Sequence, residues 1–206
     1  MEQVTICKPD DWHLHVRDGA MLKASLPFTA RHFGRAIIMP NLLPPVVTVK
    51  EAEAYRQRVM AARPEGSTFT PLMTSYLTDG TNPDEIDSGF RNNVFTAVKL
   101  YPANATTNSA AGVTDLARVR KVFARMEKIG MPLLIHGEEV DPEVDVFDRA
   151  AVFIERRLEP LLKDFPGLKV VPAHLSSQIP VACVRWKWTK PARADTPTHL
   201  RPSAHT

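Results

Sequence analysis

The sequence is poor in the features that mark several classes of protein. Its 206 residues include only two cysteines, Cys7 and Cys183, so no disulfide framework is predicted and a reducing compartment is favoured. The first residues lack the succession of basic, apolar and small residues that is typical of a signal peptide. Prolines interrupt apolar runs such as RAIIMPNLLPPVV long before they reach membrane-spanning length. We therefore expect a cytoplasmic protein that does not bind a membrane.

The chain also lacks a strong excess of charge of either sign. Its formal net charge is only +3, and the final 28 residues contribute five basic side chains and one acidic one. A tail with so few basic residues is too weak a footprint to predict nucleic-acid binding. The overall composition, 44% hydrophobic and 24% charged, is that of an ordinary globular domain.

Short apolar runs alternate with helical patterns, which indicates βα units and a parallel sheet. The predicted strands are Trp12–Val16, Arg35–Asn41, Thr70–Leu77, Phe95–Tyr101, Met131–His136 and Leu168–His174. Six strands in this order suit either a growing (β/α)₈ barrel or a doubly wound open sheet. No glycine-rich phosphate loop follows the first strand, which counts against a nucleotide-binding sheet.

Helix boundaries are marked by capping residues. Thr48 and Glu51 form a capping box before EAEAYRQRVMAAR, and Asn82-Pro83 places a proline at the first position of another helix. The segment TDLARVRKVFARMEKIG is predicted to run from a Thr114 cap to a stop at Gly130. The last well-formed helix is expected in FDRAAVFIERRLEPLLKDFPG.

The character of the chain changes near Ser177. No glycine follows Gly167, whereas four of the 18 prolines and two of the three tryptophans fall in the final 28 residues. The segment has neither a helical nor an alternating period. We therefore predict two regions, a folded region of βα units over residues 1–178 and an irregular, basic tail rich in proline and tryptophan over residues 179–206.

Two histidines lie on the first predicted strand. His13 and His15 are two residues apart, so a strand directs both imidazoles to one face, where they form a ready pair of metal ligands. For an isolated HxH pattern, a chance pair on a polar strand face is an equally good interpretation.

Further chemical groups recur at the ends of later strands. Lys99 lies in the apolar run FTAVKLYP, where a buried amine must be neutral, paired or modified, unless it reaches solvent at the strand end. A desolvated neutral amine can add carbon dioxide and become a carbamate. His136 and His174 end the runs MPLLIHG and LKVVPAH. Four such strand ends together favour a barrel active site, because barrel enzymes place their sites there.

Several segments resemble one enzyme family. DWHLHVRDG, MPNL, FTAVKLYPANATTNS, MEKIGMPLLIHGE and VDVFDR are similar, in order and spacing, to the single-domain bacterial dihydroorotases of the amidohydrolase superfamily. The similarity covers roughly Pro9 to Ser177 and is most specific at KLYPANATTNS. It implies a TIM-type (β/α)₈ barrel of the metal-dependent hydrolase kind, incomplete, with about six βα units present. The implied activity is the reversible cyclisation of N-carbamoyl-L-aspartate to L-dihydroorotate in de novo pyrimidine biosynthesis.

The resemblance also implies a site built around two zinc ions. His13 and His15 would bind the first ion, carboxylated Lys99 would bridge both, and His136 and His174 would bind the second. The implied substrate-binding residues are His15, Arg17, Asn41, Thr106, Thr107 and His136. A planar arginine fork suits a substrate carboxylate. The implied partner is the small-molecule substrate, N-carbamoyl-L-aspartate or L-dihydroorotate. The oligomeric state stays open, with a homodimer as one option.

The sequence departs from the family after Ser177. The family's strand-eight aspartate, its general acid and base, has no counterpart here, so no catalytic residue is identified. Ala173 stands where the family usually has a glutamate. A frameshift or premature stop would produce such a tail, and we expect turnover by this chain alone to be impaired.

Two other interpretations remain open. Hydantoinases and allantoinases share the HxH pattern and the lysine, although not the KLYPANATTNS run. A noncatalytic zinc-binding or partner-binding remnant would also preserve most of the predicted ligands.

Overall fold

A computed structural model describes residues 5–173. His174 and the predicted tail lie outside this part of the chain. The strands are β1 (Asp10–Leu14), β2 (Arg35–Ile38), β3 (Thr70–Tyr76), β4 (Phe95–Leu100), β5 (Leu133–His136) and β6 (Val170–Ala173). The helices are α1 (Gly19–His32), α2 (Val49–Ala61), α3 (Pro83–Arg91), α4 (Arg120–Ile129), α5 (Arg149–Phe153) and α6 (Glu159–Asp164).

The six strands form one parallel sheet in the order β1-β2-β3-β4-β5-β6. A doubly wound sheet would reverse its strand order at a switch point, and this sheet does not. Unbroken sequential order, with a helix between neighbouring strands, is the arrangement of a (β/α)₈ barrel. The prediction of an incomplete barrel is confirmed: the described residues hold six strands with helices between them, and the sheet curls as a partial barrel.

The predicted strand limits were wrong by a few residues. β1 begins and ends two residues earlier than expected, because the Asp11 carboxylate accepts the His13 N–H at 2.9 Å and the pairing with β2 becomes irregular there. β2 ends at Ile38, shortly before Pro40, which has no N–H to donate to a neighbouring strand. β5 begins only after Pro132 for the same reason.

Two predicted helix starts are confirmed. The capping box of Thr48 and Glu51 opens α2, and Asn82 caps α3 with proline in its first turn. The Thr114 cap was wrong: Asp115 caps a short 3₁₀ turn at Leu116–Val119 that leads into α4. Thr114 instead donates its backbone N–H and its hydroxyl to Asp79.

Two helix ends also differ in detail. α4 does stop at Gly130, whose φ of 71° is a left-handed conformation that suits glycine. The last predicted helix is interrupted by a π-helical turn at Ile154–Leu158 between α5 and α6, and α6 ends at Asp164.

The sequence analysis missed α1. This helix contains Pro27, a residue that disfavours a helix interior because it removes a backbone donor. The helix forms because Leu22, Leu26 and Ala30 recur every four residues and are buried on one face. Asp18 caps its first turn by accepting the Gly19 N–H at 2.8 Å.

An apolar layer lies on the inner face of the curled sheet. Its members are Ile37, Met39, Leu72, Ala97 and Leu134. Successive side chains of a strand alternate between faces, so Lys99 and His136, each two residues further along its strand than a layer member, lie on this same face. Lys99 and His136 therefore follow this apolar layer toward the ends of their strands.

None of the helices described within residues 5–173 combines the length and the apolar character needed to cross a bilayer.

Candidate active site

The two histidines of β1 converge. Their Nε2 atoms lie 3.1 Å apart and their ring centres 5.1 Å apart, although only His13 belongs to the strand and His15 follows it. Two nitrogens bound to one tetrahedral zinc at 2.0–2.1 Å would be roughly 3.3 Å apart. The pair therefore has the separation of two ligands on one ion, and the irregular pairing after Asp11 helps to aim it.

Lys99 is fully buried. Its side chain is 0% exposed, and its Nζ has no hydrogen-bond partner among the described residues. The alternative interpretation, in which the Lys99 amine reaches solvent at the end of the strand, is therefore wrong. Burial lowers the pKa of Lys99 to about 7, so a large fraction of the amine is neutral near neutral pH.

Two tyrosines connect Lys99 with the end of β5. The Tyr101 ring lies 5.0 Å from Lys99 Nζ and stacks on Tyr76 with 5.2 Å between ring centres. The imidazole of His136 lies 6.1 Å from the same Tyr101 ring. Burial raises the pKa of Tyr76 to about 12, and burial likewise raises that of Tyr101, so both hydroxyls stay protonated.

His136 ends β5 and is 6% exposed. Its Nε2 lies 3.4 Å from a carboxylate oxygen of Glu138, two residues later. A carboxylate beside an imidazole fixes the orientation and tautomer of the ring.

Arg17 follows the histidine pair in a left-handed backbone conformation, with φ of 57°. Its guanidinium donates to the backbone carbonyl of Asn41 at 3.3 Å, which brings the ends of β1 and β2 together. The Arg17 carbonyl accepts a hydrogen bond from the Tyr55 hydroxyl of α2 at 2.5 Å. Arg17 is thus held from both its side chain and its main chain.

Asn41 connects this corner with the loop that follows β4. The Asn41 side-chain nitrogen donates to the Thr107 backbone carbonyl at 3.0 Å. The Asn41 backbone carbonyl accepts a hydrogen bond from the Asn108 side chain at 3.1 Å. Tyr76 adds a third bond, from its hydroxyl to the Asn108 carbonyl at 3.3 Å. The loop is therefore docked over the strand ends, and its exposed Thr106 and Thr107 lie at the tip.

The loop has a defined internal structure. Ser109 is buried and its hydroxyl donates to the Thr106 carbonyl while it accepts the Thr106 N–H. Gly112 packs so tightly on the Tyr101 carbonyl that an added Cβ would collide with it. At the end of the loop, the side chain of Asp79 binds Thr114.

A cavity of about 460 Å³ adjoins this corner. Its lining includes Arg17, Asp18, Leu42, Arg58 and Asn108, but none of the histidines described here and not Lys99. A volume of this size is ordinary for a small-molecule pocket. The cavity thus lies beside the Arg17 side of the candidate site.

The structure brings four of the sequence-predicted residues, Arg17, Asn41, Lys99 and His136, into a chain of contacts, and His13 and His15 form a separate pair. Arg17 touches Asn41, Asn41 holds the loop, the loop rests on Tyr76, and Tyr76 leads through Tyr101 to Lys99 and His136. His174 lies outside the described residues. Tyr55, Tyr76 and Asn108 were not predicted as site residues, because their roles depend on contacts between distant parts of the chain.

Within residues 5–173, no three His, Cys, Asp or Glu side chains form a cluster suited to a metal ion.

Known proteins resemble this chain in sequence. A dihydroorotase from Erwinia tasmaniensis is 58% identical over 199 residues, which cover 97% of this chain and 57% of the relative. The chain thus spans a little over half the length of this curated relative. No family model matches the sequence.

Solved structures resemble it in fold. Dihydroorotase from Campylobacter jejuni superposes with a TM-score of 0.79 and 36% identity over 86% of this chain and 51% of that one. Dihydroorotase from Saccharomyces cerevisiae, in complex with 5-fluoroorotic acid, gives a TM-score of 0.80 and 31% identity over 90% of this chain and 52% of that one.

Proposed function

The chain is a homologue of the dihydroorotases, and on that premise we propose that its site serves the dihydroorotase reaction. The reaction is the reversible cyclisation of N-carbamoyl-L-aspartate to L-dihydroorotate, a cytoplasmic step of pyrimidine synthesis. The observation that carries the proposal is the buried amine of Lys99, which has no hydrogen-bond partner among the described residues and lies on the same inner face as His136, with a convergent histidine pair at the end of β1.

The proposed metal site holds two zinc ions. His13 and His15 would hold the first, and His136 and His174 the second, with a carbamate on Lys99 between them. The donor set fits, because the two Nε2 atoms already have ligand spacing and Lys99 Nζ is buried without a hydrogen-bond partner among the described residues. When bound, zinc polarises the substrate amide carbonyl and lowers the pKa of water.

Lys99 fits this role because burial keeps its amine reactive. A neutral amine attacks carbon dioxide through its lone pair and loses a proton, which gives an anionic carbamate with two oxygens. The pKa of about 7 leaves a large neutral fraction at neutral pH, whereas an exposed lysine would be almost fully protonated. The carbamate would supply negative charge where two cations are expected.

Arg17, Asn41 and the loop tip form the proposed substrate-binding side. The guanidinium of Arg17 can pair with a carboxylate through two parallel N–H groups. The buried Asn41 Oδ1 has no hydrogen-bond partner among the described residues, so it is available for a substrate N–H. Thr106 and Thr107 would close over the ligand and exclude water.

The function can be tested by ligand selectivity. We would titrate the zinc-loaded chain with N-carbamoyl-L-aspartate, L-dihydroorotate and hydantoin by calorimetry, and assay ring opening with each cyclic amide. The proposal predicts tighter binding of the two carboxylate-bearing ligands, because hydantoin has no carboxylate to pair with the Arg17 guanidinium. Equal or tighter binding of hydantoin would contradict the proposal.

A further inference from the structure

The backbone at Arg17 adopts a conformation that its own side chain disfavours. Its φ of 57° lies in the left-handed region, which residues with a Cβ rarely occupy. Such a conformation persists only where surrounding contacts hold it in place. The direction of the Arg17 side chain therefore depends on whatever fixes its main chain.

The fixing contact comes from α2, 38 residues further along the chain. The Tyr55 hydroxyl donates to the Arg17 carbonyl at 2.5 Å, and Tyr55 is only 1% exposed. Burial, together with the nearby Asp18 carboxylate, raises the pKa of the Tyr55 hydroxyl, so the hydroxyl remains protonated and able to donate at neutral pH. The bond is short and shielded from competing water.

Asp18, which follows Arg17 in the chain, is also held by α2. Arg58, one turn after Tyr55 on α2, binds both carboxylate oxygens of Asp18 through Nε, at 3.1 and 2.9 Å. The Arg58 guanidinium also lies 5.3 Å from the centre of the Tyr55 ring. Asp18 in turn caps α1 by accepting the Gly19 N–H. These contacts with α1 and α2 hold residues 17–19 in place, and we refer to them together as the clamp.

We propose that Tyr55 is a positioning residue of this site: its hydroxyl holds the Arg17 carbonyl, and so sets the guanidinium toward Asn41 and the substrate carboxylate. The inference rests on the proposed function for the identity of that carboxylate. Tyr55 touches no substrate in this arrangement. It acts through Arg17, and its contribution disappears when Arg17 no longer carries a charge.

The test is a double-mutant cycle in the full 206-residue, zinc-loaded chain, with N-carbamoyl-L-aspartate as the probe. The four proteins are the parent, Tyr55→Phe, Arg17→Met and the double variant. Tyr55→Phe should weaken binding roughly tenfold, the effect of one hydrogen bond of ordinary strength. In the Arg17→Met background it should have no further effect, because coupled residues are not additive. Zinc content should stay the same in all four proteins.

A matched control separates positioning from stability. Val59 is fully buried on α2, one residue after Arg58. Val59→Ala should therefore lower the melting temperature without weakening the binding of N-carbamoyl-L-aspartate. Hydrogen exchange supplies a readout that needs no ligand. Tyr55→Phe should accelerate exchange at the amides of residues 16–19, whereas Val59→Ala should not do so selectively.

Each outcome decides the inference. It is overturned if Tyr55→Phe binds the probe as tightly as the parent, or if the Tyr55→Phe effect persists undiminished in the Arg17→Met background. If the parent does not bind the probe, the proposed function fails and exchange alone decides: faster exchange at residues 16–19 supports the clamp, and unchanged exchange overturns it.

Discussion

The Nζ atom of Lys99 lies 5.0 Å from the centre of the Tyr101 ring, and neither Nζ nor the Tyr101 hydroxyl has a hydrogen-bond partner among the described residues. Burial lowers the pKa of Lys99 to about 7, although the aromatic face beside Nζ is one that attracts a charged amine. Two buried polar groups without partners are rare in a folded core and commonly mark a functional site. The Lys99 amine and the Tyr101 hydroxyl therefore distinguish the end of β4 from an ordinary packed core.

The depressed pKa of Lys99 predicts a pH-dependent stability in metal-free, carbon dioxide-free buffer. Between the folded value near 7 and the ordinary value of 10.5, the unfolded chain binds a proton at Lys99 that the folded chain does not. Stability should therefore rise with pH across this window, by at most about 1.4 kcal/mol per pH unit. Urea unfolding from pH 7.5 to 9.5 measures the slope.

Lys99→Met serves as the comparison for this effect, since it preserves length and apolar contact without a titratable amine. The difference in unfolding free energy between the parent and Lys99→Met should grow in favour of the parent as pH rises. Two stability curves that run parallel over the whole window would show that the amine is charged in the folded chain.

Arg17 should matter for ligand and not for metal. Arg17→Met removes a charge-assisted contact to a carboxylate, which should weaken N-carbamoyl-L-aspartate about 10- to 100-fold while bound zinc is unchanged. Calorimetry and metal analysis measure the two quantities. Arg91→Met is a suitable control, because Arg91 is an exposed arginine of α3 that pairs with Asp87 away from the site. Loss of zinc from Arg17→Met would refute the assigned role.

Asn41 should control the loop that follows β4. Asn41→Ala removes the donor to the Thr107 carbonyl, so amides in residues 103–113 should exchange faster with solvent. Hydrogen-exchange mass spectrometry measures this, with Asn92→Ala at the end of α3 as a control, because the Asn92 side chain donates to Ser88 of the same helix. Unchanged exchange in the loop would mean that its remaining contacts hold it without Asn41.

Local sequence was enough to predict the strands and most of the helices, but not the contacts between them. The capping box of Thr48 and Glu51 could be found because its partners are three residues apart and its geometry is that of any helix start. The chemical residues could be placed because the strand period and barrel topology put strand ends together. By contrast, Tyr55 and Arg17 are 38 residues apart, and no local pattern announces their bond.

Two errors have physical causes. α1 was missed because Pro27 argues against a helix, whereas burial of Leu22 and Leu26 outweighs that local preference. Thr114 was assigned as a cap on its residue type, but the carboxylate of Asp79, 35 residues earlier in the chain, binds its side chain and leaves the capping to Asp115. In both cases a tertiary contact decided between options that the sequence left close in energy.

In the proposed function, Lys99 becomes a carbamate that helps to hold zinc. The direct measurement is the zinc content of the purified chain, dialysed with and without added bicarbonate, for the parent and for Lys99→Ala. Bicarbonate should raise bound zinc in the parent and have no effect in Lys99→Ala, and a small carboxylic acid should partly restore zinc to the variant. Zinc content that is the same in both proteins and indifferent to bicarbonate would contradict the claim.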